Sequence, residues 1–411
     1  MKNIVSSCMV TLMVVLIAAI AHADNSGRIY GKITTVDGDT FEGLIRWDKN
    51  EASWVDILNG NKELEKRHKR DKDKRRKYHD RDRIEIFGIE FGGTNVYYGN
   101  SAQSGVRFGH IRSLEVVDDD AALITLKSGE QVELSGGSTD IGESIRELVI
   151  EDESEGEIEL VWDDIDRVDF EDTDGSQISS FGDRLYGTLT TRRGDEFTGF
   201  VCWDVDEVLT DDILDGEDRR RTRKIQFGKI KAIERYSSNG ATIYLENGDE
   251  VLLRGTNDID DGNRGIIISD PGFGQVTVKW DEFERLDFKE APNQIKYNSF
   301  DGGKPLRGTV YTEDGESYTG LICWDNDEKY TWEILDGDYR DIEFDIELGY
   351  IAKIEKRSYR SSLVTIKDGR TFRLKGSNDV DEDNKGIYIT LEDGDEVAVY
   401  WDEFERVEFS Q

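Results

Sequence analysis

Apolar residues recur at every second position in three widely separated stretches. In "EFTGFVCWD", Phe197, Gly199, Val201 and Trp203 fall on one face. Tyr318, Gly320, Ile322 and Trp324 repeat the pattern, as do Phe41, Gly43, Ile45 and Trp47. A period of two is that of a β-strand, so this aromatic-Gly-aliphatic-Trp face predicts the core side of a strand. The other face carries Arg46, Cys202 or Cys323 and is expected to be only partly covered. "VDGD" (36–39), "ENGD" (246–249) and "KDGR" (367–370) supply Gly and Asn or Asp between such runs, where tight hairpins need positive φ. No stretch beyond the first residues has the 3.6-residue period of an amphipathic helix. The pattern predicts an all-β protein.

The same pattern is written three times. "RLYGTLTTRRGDEFTGFVCWD" (184–204) matches "PLRGTVYTEDGESYTGLICWD" (305–325) and "RIYGKITTVDGDTFEGLIRWD" (28–48). Gly187 and Gly308, Trp280 and Trp401, and Phe288 and Phe409 are each 121 residues apart. The first copy is offset by 156 at Trp47 and by only 119 at Phe108, so it holds 37 extra residues. The predicted organisation is therefore repeat one at 28–171, with an insert at about 60–106, repeat two at 184–289 and repeat three at 304–410. Polar linkers at 172–183 and 290–303 separate them. Each repeat also has two halves, and each half ends in strand, short polar turn, strand. That order of elements resembles the SH3-like or Sm-like small-barrel superfold. The resemblance implies two small five-stranded barrels per repeat and carries no function with it.

Trp-Asp pairs mark both halves: Trp47, Trp203 and Trp324 in the first, Trp162, Trp280 and Trp401 in the second. The indoles are expected in the core. Asp204, Asp325, Asp281 and Asp402 are expected to cap the turn that follows, as an Asp accepting backbone N–H groups does. The spelling is that of WD-repeat propellers, whose repeat of about 40 residues does not fit.

A second acidic cluster is a candidate metal site. "GTNDIDDGNRGI" (255–266) and "GSNDVDEDNKGI" (376–387) pack hard oxygen donors into a loop. The Ca²⁺ candidates are Asn257, Asp258, Asp260, Asp261 and Asn263, with Asn378, Asp379, Asp381, Asp383 and Asn384. An EF-hand is excluded, since the twelfth loop position is Ser269 or Thr390. Asp140 alone of this set survives in repeat one. The alternative is a solvated loop whose Asx residues shape its turns.

Charge and address narrow the partners. Lys2, the apolar run Met9–Ile20 and Ala21-His22-Ala23 form a secretory signal over residues 1–23, predicting a periplasmic or secreted chain with no transmembrane segment once mature. The formal charge of −36 becomes −37 when Lys2 leaves, and such a surface repels nucleic acid. Cys202 and Cys323 occupy one position in two repeats and are expected as independent, half-exposed thiols. "KRHKRDKDKRRKY" (66–78), the one basic run, is read as a loop able to meet an anionic surface. Arg193-Gly194-Asp195 aligns with turns elsewhere and is read as a hairpin tip, not an adhesion tripeptide.

No nucleophile elbow, HExxH or phosphate-cradling glycine loop is present, and none of the three mature histidines recurs between copies. The expectation is a non-catalytic exported repeat protein, structural in the envelope or binding an extracytoplasmic protein or envelope polymer. A Ca²⁺-dependent carbohydrate-binding or adhesion module is the alternative. A glycosidase-like hydrolase with a carboxylate pair ranks third.

Overall fold

The strand Glu196–Cys202 shows how the alternation is used. Phe197, Val201 and Trp203 are buried on one face. Gly199 is required because a side chain there would collide with the Ser269 carbonyl of the neighbouring strand, as at Gly43 against Glu151 and Gly320 against Thr390. The other face is exposed at Glu196 and Thr198, as expected, but buried at Phe200 and Cys202. Phe200 packs on the core of repeat one, and Cys202 sits among Ala52, Val205, Val208 and Ile267. Cys202 and Cys323 are both buried, Cys202 because residues of repeat one and of its own repeat cover it.

The computed structural model describes residues 24–63, 85–86, 89–90, 101–177, 179–219 and 221–410. The leader and the basic run 66–78 lie outside the described residues. The protein is all-β, with antiparallel sheets linked by single 3₁₀ turns such as Phe227–Lys229. Among the described residues no helix is long and apolar enough to cross a membrane.

Repeat two contains ten strands: Tyr186–Thr191, Glu196–Cys202, Ile213–Asp218, Arg221–Gln226, Ile230–Ser237, Gly240–Leu245, Glu250–Arg254, Ile266–Asp270, Gly274–Val278 and Phe283–Phe288. Across the sheet they run fourth, third, seventh, sixth, fifth, tenth, first, second, eighth, ninth. Repeat one has the same order, leaving aside the two-residue strands Glu85–Ile86 and Ile89–Glu90. Its third and fourth strands, Ile57–Glu63 and Ser101–Arg107, pair up to Glu63↔Ser101. The 37 extra residues, 64–100, therefore fall between these two paired strands.

Two corrections follow. The five-strand sets are not consecutive: strands three to seven are inserted between the second and the eighth, which pair at Val201↔Ile268. Nor, among the described residues, does any sheet close into a barrel. A strand has two edges, and the fifth and tenth spend their second edges on each other, at Ile233↔Leu286, instead of closing their own sets.

The repeats also share strands. Ile334–Tyr339 and Ile342–Glu347 of repeat three extend the sheet of repeat two, pairing Gly274↔Ile346 and Val276↔Phe344. Repeats two and three consequently have one continuous core, while repeat one has its own, into which Phe200, Tyr297, Phe300 and Trp332 reach. The Arg193-Gly194-Asp195 tip joins them as well, with Arg193 on Asp341 and Arg340 on Asp195.

Candidate functional site: three buried carboxylate clusters

Each first-half Trp-Asp opens a tight turn that ends on a glutamate. Trp203 and Glu207 exchange backbone hydrogen bonds of 2.8 and 2.9 Å, and Trp47–Glu51 and Trp324–Glu328 do the same. The first two of the three residues between are left-handed, with φ of 50° and 60° at Asp204 and Val205. Asp accepts that conformation at low cost.

The Asp side chain does not cap its own turn. Asp204 reaches across to the Asp-rich loop, accepting the backbone N–H of Arg264 at 2.6 Å, the Arg264 guanidinium at 3.0 Å and the Asn257 amide. Asp325 takes Lys385 and Asn378 in the same way, and Asp48 takes Arg146 and Thr139. The caps come from residues further on: Asp56, Asp212 and Glu333 each accept two backbone N–H groups of the segment before them. In the second half, Asp281 is mostly exposed and pairs with Arg235, Asp402 is exposed, and Asp164 accepts the Val161 N–H. All six indoles are buried, and each donates to a backbone carbonyl: Trp47, Trp203 and Trp324 to Asp140, Asp258 and Asp379, and Trp162, Trp280 and Trp401 to Asp118, Ser237 and Tyr359.

The loop residues singled out for Ca²⁺ play four different parts. Asp258 and Asp379 are buried beside the Trp-Asp turn and accept the N–H of Asp215 and Asp336 at 2.7 and 2.9 Å. Asp260, Asn263, Asp381 and Asn384 fold the loop by accepting N–H groups two residues on. Asp261 and Asp383 are exposed, and Asn257 and Asn378 bond Asp204 and Asp325.

Sequence reasoning passed over two members of each cluster. One is the basic residue that clamps the loop: Arg146, Arg264 or Lys385. The other is the glutamate of Trp-Asp-x-x-Glu, although its recurrence at Glu51, Glu207 and Glu328 is visible in the chain. In all three the Oε2 atom is buried without a hydrogen-bond partner. An ionised carboxylate in that setting is costly. Burial, then Asp140, Asp48 and Asp56, push Glu51 far above the usual carboxylate range. Burial and Asp258 push Glu207 up to about 10, and burial and Asp48 push Asp140 up to about 8.

A raised acid pKa means the folded protein holds a proton that the unfolded chain releases. For Glu207 the window runs from about 4.5 to about 10, and stability there falls as pH rises. Glu207→Gln is expected to make the profile shallower by up to about 1.4 kcal/mol per pH unit and to stabilise the protein at pH 8. Urea unfolding at pH 5, 6.5 and 8 measures this; parallel profiles would show Glu207 ionised in the fold.

Repeat one adds a cavity of about 30 Å³ at its boundary with repeat two, lined by Glu51, Asn59 and Asp140 on one side and Cys202, Ile267 and Gln275 on the other. Ion pairs cross the same boundary: Arg46–Asp212 at 2.9 Å, Arg184–Asp56 at 2.8 Å and Arg146–Asp206. Lys62 bridges repeat one to Glu333 of repeat three at 2.5 Å. No known family's sequence profile and no curated protein matches this chain.

Proposed function

We propose that this is an exported, non-catalytic repeat protein that binds another extracytoplasmic protein or an envelope polymer. The observation carrying this reading is the use made of the residues written three times. The indoles fill cores, the Trp-Asp carboxylates staple a loop to a turn, and the glycines admit a neighbouring backbone. Recurrence is thus accounted for by folding, which leaves function to surfaces that differ between copies. The leader at 1–23 supports export. The strongly negative surface favours cationic or cation-bridged partners over nucleic acid.

Two measurements test the reading. Residues 1–23 fused to a reporter active only outside the cytoplasm are expected to give signal. The chain from Asp24 onward, incubated with purified envelope glycan and peptide substrates, is expected to release no products while co-sedimenting saturably with an envelope fraction. Turnover of any of these substrates, or an inactive reporter, would overturn it.

A further inference from the structure

We propose that repeat one binds one hard divalent cation, of which Ca²⁺ is the best fit, between Asp48, Glu51 and Asp140. This goes beyond the binding role above and does not depend on it. Each of these three side chains offers an oxygen, and the three atoms lie within 4.8 Å of one another. Ca²⁺ holds oxygens at about 2.3–2.6 Å, so ligands around one ion sit no more than about 5 Å apart. Among the described residues, only this copy of the cluster brings three such atoms so close.

The second observation is independent of that spacing. Glu51 is 2 % exposed and its Oε2 has no partner, and the Oδ1 of Asn59, at 7 % exposure, has none either. Both residues line the cavity of about 30 Å³, which is room for an ion with one water. Charge agrees with a dication. Arg146 offsets one of the three carboxylates through Asp48, and an incoming dication would match the charges of the other two once it displaces their protons. Asp140 accepts the Asn59 backbone N–H on one of its carboxylate oxygens. Because Cys202, Val205 and Gln275 form the far wall, an ion here would fasten the turn of repeat one to repeat two.

The test uses the full chain from Asp24, stripped with chelator. Trp47 donates to the Asp140 carbonyl at 2.9 Å, so its indole lies close enough to sensitise bound Tb³⁺. Indole-excited terbium emission saturating at one ion per chain and displaced by Ca²⁺ is expected, with a melting temperature that rises with Ca²⁺. Glu51→Gln should abolish both responses, and Glu207→Gln should keep them. No emission, no Ca²⁺ shift, or responses that survive Glu51→Gln would overturn the proposal. So would a Glu51→Gln protein more stable than a wild type indifferent to Ca²⁺, since that would mean a proton already occupies the place. If Glu51→Gln fails to fold, the wild-type stoichiometry and Ca²⁺ displacement decide alone.

Discussion

Trp203→Ala is expected to cost about 3–5 kcal/mol in urea unfolding. Trp203 is fully buried, with ring centroids 5.3 Å from Phe283, 6.3 Å from Trp280 and 6.4 Å from Phe227. Removing the indole opens a large cavity among rings held by strands from both five-strand sets, so the backbone cannot collapse to fill it. It also strips the Asp258 carbonyl of its donor, which loosens the loop. Trp203→Phe separates the two contributions: it keeps most of the packing and loses only the hydrogen bond, for about 1–2 kcal/mol. Repeats two and three share one core, so both should unfold in the same transition. A cost below about 1 kcal/mol, or a separate transition for repeat three, would contradict this account.

The second large effect is expected at the boundary between repeats one and two. Arg184 and Asp56 pair at 2.8 Å with side chains only 3 % and 5 % exposed. The Arg184 guanidinium also donates to the Val208 carbonyl at 3.1 Å, and Asp56 caps the turn at Ala52 and Ser53. Asp56→Ala leaves a buried cation without its counter-charge and is expected to cost about 3–5 kcal/mol. Asp56→Ala with Arg184→Met should cost clearly less than the sum of the two single changes, because the uncompensated charge is then gone. Additive losses in that cycle would show the pair to be energetically uncoupled.

Much of the fold was legible because its causes are local. Alternation at Phe197, Val201 and Trp203 marked a strand and its inward face, and the six indoles lie where that pattern put them. The Gly in each copy was visible, but its reason was not: it makes room for the carbonyl of a distant strand, Glu151 for Gly43, Ser269 for Gly199 and Thr390 for Gly320. The burial of Cys202 was missed for a related cause. Nothing within "GFVCWD" announces that Ala52, from another repeat, will cover the second face.

The candidate site was half legible. Asp258 and Asp379 were singled out for their oxygen-rich spelling, but that they lie beside the Trp-Asp pairs was not foreseen. Asp204 was assigned to the wrong turn, because a side chain two bonds from a strand end can reach either its own turn or a loop passing alongside. Only the path of the loop decides which. Glu51 passed unremarked for a deeper reason. In a chain with 89 acidic residues, one glutamate has no distinguishing mark until its surroundings are known.

From the chain alone came the β class, the three copies, the core faces and the position of the long insert, since periodicity and turn chemistry act over a few residues. Tertiary structure alone decided that the halves interleave, that no sheet among the described residues closes and that repeat three lends two strands to repeat two. It also decided that three carboxylates share one buried corner. Strand edges choose partners across tens of residues, and the energy of a charge is set by what surrounds it, so neither is written at the positions concerned.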